Sequence, residues 1–564
     1  MLADTAPRAP TTPPRPSITT ERLILIASVF WALALNRPFF SAALRAQAPD
    51  ALSNAAFAVG LVLMLVALQA LLLGLIGTRH TIKPLVAVLT LVGALAMHYM
   101  QAYGVVIDPS MVRNTLHTDP AETRELLSWS LSLDLLLYAA LPIALLVFTR
   151  LEVRPWGRRL RARGLLLAGA AGVFALALMW QFQPLASMSR NHKEVRYLVT
   201  PLNTLWSLGS VLAADARGAA QPRQAIGLDA APGAGWATRS KPRVVVLAVG
   251  ETARAANWGL SGYARQTTPQ LAQLTQVAPS AQPPVINFSD VSACGTSTEV
   301  SLPCMFAAVG RRQYDEARIR GSESLLHVAA RAGVAVHWRD NQSGCKGVCD
   351  GLPHDTVNAA LAPGLCQEGR CLDEGLLRGL DERLRGLHGS RGTQLLVLHM
   401  LGNHGPSYFR RYPPAFERFT PVCRNDDLGQ CTREEIVNAY DNALLYTDHV
   451  LATLIGTLAS HAGDVDSAML FVSDHGESLG EKNLFLHGVP YLIAPKEQTQ
   501  VPMVFWSSAG FASSAGLNAD CLRARARQPA QHDNLFHSLL ALLDVKTSLY
   551  EPALDLTHDC RAAS

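Results

Sequence analysis

No cysteine occurs before Cys294 in this 564-residue chain, and charged side chains make up only 17 % of it against 49 % hydrophobic residues. So few charges exclude a chain that is hydrated evenly along its length, and the length exceeds one ordinary domain. The formal net charge is only +4, and the arginines cluster in a short loop between apolar runs, so nothing points to a nucleic-acid partner. Repeated C-x2-C pairs are also missing, which disfavours a cysteine-ligated structural metal. What the second half does hold is all ten cysteines, mostly as close pairs: Cys294 with Cys304, Cys345 with Cys349, Cys366 with Cys371, and Cys423 with Cys431. Cys521 and Cys560 are left as a fifth pair. An even number confined to one half suggests disulfides in an oxidising compartment.

Residues 1–20, with Pro10, Pro13, Pro14 and Pro16, read as a disordered cytoplasmic tail. Apolar runs follow at 22–44, 55–77, 84–106, 130–149 and 165–183, each close to the roughly 20 residues that cross a bilayer. Five spans over 21–183 are therefore expected. The first is broken by Asn36-Arg37-Pro38 and followed by Ala46-Gln47-Ala48, so a cleaved signal peptide is its alternative. Arg79 and Lys83, then Arg150, Arg154, Arg158, Arg159, Arg161 and Arg163, place two loops in the cytoplasm by the positive-inside rule. Everything after about residue 184 then emerges on the far side, where disulfides persist. Residues 184–242 read as an interfacial helix, with an apolar patch at Tyr197 to Leu212, and a flexible linker over Ala219 to Gly235.

Over 243–564, short β-rich runs alternate with amphipathic ones: Val244 to Val249, Val334 to Trp338, Gln394 to His399, Ala468 to Val472 and Val501 to Trp506. This predicts an α/β domain with a largely parallel sheet, whose ligands bind beyond the carboxyl ends of the strands. Two strands run directly into acids, Gly250-Glu251 and Ser473-Asp474-His475, and a third into Asn403-His404. Glu251, Asp474 and His475 are a carboxylate and imidazole set suited to Zn²⁺ with an open position. A hydroxyl there becomes a nucleophile near neutral pH, and Thr296 is the candidate. Singly, Glu251 also suits a helix N-terminus, Asp474-His475 a polar turn, and Thr296 a helix cap. Their joint appearance at strand ends is what favours a site.

Five motifs carry a family resemblance over nearly the whole chain: Gly250-Glu251-Thr252-Ala253-Arg254, Cys294-Gly295-Thr296-Ser297-Thr298, Asp340 through Cys349, Asn403-His404-Gly405-Pro406-Ser407-Tyr408, and Ser473-Asp474-His475-Gly476-Glu477-Ser478. The chain resembles the phosphoethanolamine transferases of Gram-negative inner membranes, a family that includes lipid A transferases and the mobilised colistin-resistance enzymes. The resemblance implies a five-helix transmembrane bundle followed by a periplasmic domain with an alkaline-phosphatase-like or sulfatase-like fold. It implies zinc held by Glu251, Thr296, Asp474 and His475. It implies a reaction in which Thr296 takes phosphoethanolamine from phosphatidylethanolamine, releases diacylglycerol, and passes the group to a phosphate of lipid A or lipopolysaccharide. His404 and His487 match positions beside the zinc, for a second metal, proton transfer or structure. Ser343 and Lys346 match donor-contacting positions in a disulfide-bracketed loop.

Asn114, Thr118 and Glu122 also match substrate-contacting positions, with Glu122 placed to meet an ammonium. Thr118 through Glu122 reads equally well as a helix start. Asp448 and His449, on a helix, are assigned capping or solvated roles, and Asp533 to Leu543 is assigned to packing. Besides phosphatidylethanolamine and lipid A, only membrane lipids are expected as partners, with the chain a monomer. The competing reactions are transfer to core sugars or periplasmic glucans, and hydrolysis of the sulfatase or phosphatase type.

Overall fold

The computed structural model describes residues 16–45, 51–118, 120–219, 222–276, 284–367 and 369–562. Most of the Pro-rich tail (residues 1–15) and the cleavage-like Ala46-Gln47-Ala48 lie outside the described residues. The chain forms two compact units, one of residues up to 102 with 129–206, the other of 103–128 with 207–564.

In the first unit, helices Ser53–Ile76, Ile82–Tyr103, Trp129–Phe148 and Trp156–Trp180 are long and apolar enough to cross a membrane, and the helix pair Thr20–Leu35 and Arg37–Arg45 adds a span bent by 58°. The bend falls at Asn36, where Pro38 bars a continuous hydrogen-bond ladder. The Asn36 amide donates to the carbonyls of Trp31 and Thr200, both at 2.8 Å, which satisfies a polar group otherwise costly to bury. The last span begins at Trp156, earlier than the hydropathy pattern predicts, so Arg158 to Arg163 lie on a helix and not in a loop. Arg163 donates to the carbonyls of Gly74 and Gly77, the uncapped end of helix Ala51–Ile76, where a cation also meets the helix dipole.

The second unit is built on a seven-stranded sheet: β1 Arg243–Gly250, β2 Ile286–Phe288, β3 Ala335–Asp340, β4 His354–Thr356, β5 Thr393–His399, β6 Asp466–Ser473 and β7 Met503–Ser507. Its order is β2-β7-β6-β1-β5-β3-β4, and β7 alone runs against the rest. Every residue of β1 and β6 is buried, as expected for central strands covered on both faces. Helix Arg433–Ser460 is apolar enough to pass for a span, yet it is packed inside this unit. A capping box between Thr432 and Glu435 starts it, and its buried face carries Asn438, Asp441 and Asn442.

Two expectations are corrected here. The apolar patch from Tyr197 is split, with a 3₁₀ turn ending at Leu198 and a new helix, Leu202–Ala219, behind it. The stretch towards Gly235 is docked: Ala231–Pro232 pairs with Val545–Lys546, and the Trp236 indole donates to the Leu543 carbonyl at 3.1 Å. Ile226 and Trp236 supply the apolar contact that holds it on the core. All five cysteine pairs, Cys521–Cys560 included, are disulfides, and no described cysteine is free. Helix Asp533–Leu542 packs in the core as expected.

Candidate active site

Parallel pairing of β1 and β6 sets Gly250 opposite Ser473, so the next residues, Glu251 and Asp474, leave the sheet side by side. Both are fully buried. His475 completes the group, its Nε2 lying 3.3 Å from Glu251 Oε1 and 3.5 Å from Asp474 Oδ2. Those two carboxylate oxygens have no hydrogen-bond partner, although unpaired buried acceptors are costly. Ligand atoms of the three residues all fall within 4.8 Å of one another, as a small cation requires. Burial and the neighbouring Glu251 charge push Asp474 up, and the two carboxylates outweigh burial to raise His475. Two carboxylates with an imidazole, two of their oxygens unpartnered, fit zinc.

Backbone strain marks the turn that follows Glu251. Thr252 has φ of 53°, a conformation that β-branched residues rarely adopt. The buried Tyr440 hydroxyl fixes it, donating to Thr252 O at 2.7 Å and accepting from the Arg254 amide at 2.9 Å. Behind Glu251 passes Gly402, where a Cβ would stand 2.7 Å from the Glu251 carbonyl oxygen.

Thr296 precedes helix Thr298–Met305. Its hydroxyl donates to Val489 O at 2.6 Å, and its carbonyl accepts from Gly488 N at 2.7 Å, so it lies against the loop bearing His487. Two residues on, the Thr298 hydroxyl donates to Glu251 Oε2 at 2.9 Å and lies 3.3 Å from His475 Nε2. The hydroxyl-bearing loop and the carboxylate trio are therefore one site. His532 ties them further, accepting from the Cys294 amide and donating to Ser473 O, both at 3.0 Å.

The His487 ring lies tilted against that of His475, centroids 4.4 Å apart, and pairs through Nδ1 with Glu477 at 2.8 Å; Glu477 in turn accepts from the Tyr408 hydroxyl. His475, Glu477 and His487 form a second group with metal-ligand spacing. The His404 ring lies 5.5 Å from His487, and its Nε2 is 3.2 Å from Glu122. Burial lowers the His404 pKa, but the Glu122 charge outweighs it and holds the imidazole up at about 9; Glu122 falls to about 2.

The remaining candidates fall in two places. Thr118 donates its hydroxyl back to Asn114 O at 2.7 Å, at the end of helix Pro109–Leu116. Ser343 bonds the side chain of its neighbour Gln342. Lys346 is not on an exposed loop: its side chain is buried, with Nζ 3.8 Å from Glu299 and donating to His117 O at 3.2 Å. Asp448 caps helix Pro269–Thr275, accepting from the amides of Gln270 and Leu271. Thr298 and Glu477 lie inside the family motifs, whereas nothing local in the sequence marks Tyr440.

Hydroxyl, cation-binding trio and histidines at the carboxyl edge of such a sheet define a phosphoryl- or sulfuryl-transfer domain, and the Sulfatase family matches residues 243–545. The family Phosphoethanolamine transferase EptA/EptB matches residues 65–216. The chain is 36 % identical over 557 residues to Phosphoethanolamine transferase EptA of Escherichia coli K12, covering 98 % of each. It is 37 % identical over 503 residues to Phosphatidylethanolamine transferase Mcr-1 of Escherichia coli, covering 87 % of this chain and 90 % of that one. The solved structure of the integral membrane protein lipooligosaccharide phosphoethanolamine transferase A of Neisseria meningitidis matches with a TM-score of 0.89 at 34 % identity, covering 97 % of this chain and all of that one. The chain belongs to the phosphoethanolamine transferase family.

Proposed function

We propose that this protein moves phosphoethanolamine from phosphatidylethanolamine to a phosphate of lipid A, with the spans in the bacterial inner membrane and the catalytic unit in the periplasm. The placement of the Thr296 loop against the carboxylate trio and the histidines carries the reading. Glu251, Asp474 and His475, with Thr296, would hold zinc, which lowers the pKa of a hydroxyl and balances phosphoryl charge.

In the first half-reaction, Thr296 Oγ1 bonds to phosphorus and the bond from phosphorus to the diacylglycerol oxygen breaks. His487, backed by Glu477, accepts the Thr296 proton, and protonated His404 gives one to the leaving oxygen. In the second, an oxygen of the acceptor phosphate attacks the phosphothreonine, the bond from phosphorus to Oγ1 breaks, Oγ1 takes its proton back from His487, and His404 regains one from the incoming phosphate. Adding an ammonium to an anionic lipid lowers its attraction for cationic peptides such as polymyxin. Mass spectrometry of lipid A from cells expressing the parent or Thr296→Ala tests this: an adduct that appears with the parent and vanishes with the variant is expected. An adduct confined to core sugars would instead assign the alternative acceptor.

A further inference from the structure

A cavity of about 880 Å³, lined in part by Glu125 from the helix that carries Glu122, is within the roughly 300–1,000 Å³ range of small-ligand pockets. Arg124, Arg370 and Arg410 line it, together with Phe409, Tyr412 and Pro413. Its acids are Glu125 and Asp426. Glu125 is already engaged, paired with Arg370 at 2.8 Å and gripped by both guanidinium nitrogens of buried Arg411. Asp426 lies 3.7 Å from Arg410. Guanidinium groups still outnumber carboxylates among the described residues around this space, and Arg124 has no ion-pair partner among those residues. Planar guanidiniums bind phosphate bidentately, and aromatic and proline rings pack on the C–H faces of a sugar.

The cavity is coupled to the chemistry through its floor. Arg411 Nε donates to the His404 carbonyl at 2.7 Å, and Glu122, one helical turn from Glu125, holds His404 Nε2. His404 faces His487, whose neighbour Gly488 is bonded to Thr296. The cavity and the candidate site thus share Arg411 and the helix that carries Glu122 and Glu125.

We propose that this cavity is the acceptor subsite, binding a phosphorylated sugar through Arg124 and Arg410, with Phe409 and Tyr412 against the ring. The proposal rests on the transferase reading for its role but not for its ligand class. Two sources carry that chemistry, the phosphorylated glucosamine of lipid A and the phosphorylated core sugars.

The test uses the full chain, purified with zinc, and an Arg124→Ser/Arg410→Ser double variant; Arg370 is left intact because its ion pair with Glu125 is structural. Calorimetric titration with glucosamine 1-phosphate is expected to show binding to the parent and at least about tenfold weaker binding to the variant. Equal binding by both proteins, or none by the parent, overturns the subsite. Separately, the variant is expected to release diacylglycerol from phosphatidylethanolamine at the parental rate while its KM for purified lipid A rises about tenfold or more. A loss shared equally by the two half-reactions overturns the proposal. A parent that binds the sugar phosphate but modifies no lipid A defeats the transfer reading alone. Competition by lipid A against phosphorylated core oligosaccharide identifies which source the cavity prefers.

Discussion

Glu251 Oε1 and Asp474 Oδ2 both point at the same imidazole nitrogen of His475, and neither oxygen has a hydrogen-bond donor. Two buried carboxylates held this way repel each other, and a metal ion between them relieves that repulsion. Chelation is therefore expected to abolish transfer and to lower the melting temperature, with zinc restoring both. Glu251→Gln and Asp474→Asn should each reduce metal content at equal zinc concentration, read by elemental analysis, and cut activity by at least about 100-fold.

Thr296→Ala should lose at least about a thousandfold in turnover, and the neighbouring Thr298 hydroxyl, which donates to Glu251 Oε2, should not take its place. Thr296→Ser should keep measurable activity. Rapid-quench mass spectrometry of the tryptic peptide containing residue 296 should find a phosphoethanolamine adduct in the parent and none in the alanine variant.

Gly402→Ala should be disproportionately harmful for the addition of one methyl group. Its φ is +55° and the new Cβ would meet the Glu251 backbone, so a stability loss of about 1–3 kcal/mol is expected. The metal-dependent part of the melting temperature should shrink as well, since the displaced backbone belongs to a ligand. Ordinary zinc affinity in the variant would refute this.

Burial raises Asp448 to about 7, well above its unfolded value near 3.8, despite two amides donating to it. A carboxyl with a raised folded pKa contributes stability that is complete below the unfolded value and lost as pH climbs through the folded one. From about pH 4 to pH 7 the parent should lose stability relative to Asp448→Asn, with a slope approaching about 1.4 kcal/mol per pH unit. Parallel melting curves for the two proteins across that range would contradict the assignment.

The grouping of Glu251, Asp474 and His475 is legible in the sequence because two properties of parallel strands are local: apolar runs mark the strands, and polar groups that can bind a ligand follow their ends. Glu251 and Asp474 needed only that β1 and β6 be neighbours, which their fully buried character favours. The three-residue edge strands β2 and β4 went unread, since Ile286–Phe288 and His354–Thr356 are too short to carry a period. Tyr440 stands 188 residues from the carbonyl it holds, and no spacing rule spans that distance. The same limit hid Glu299, whose single carboxylate meets His117, Arg320 and Lys346. Hydropathy likewise could not separate Arg433–Ser460 from a span; its buried Asn438, Asp441 and Asn442 do, because each finds a side-chain or backbone partner inside the domain.

Residues 103–128 belong to the same compact unit as 207–564, although the chain makes two apolar spans between them. A fragment cut after residue 206 would keep the metal trio, Thr296 and every disulfide, and would still fold around its sheet. It would be missing Glu122, Glu125 and His117, leaving His404 and Arg411 with their charges uncompensated and Glu299 short of a partner. Such a truncated protein is the right reagent for studying metal loading, but it is a poor surrogate for catalysis, and its pH optimum should not be taken for that of the intact enzyme.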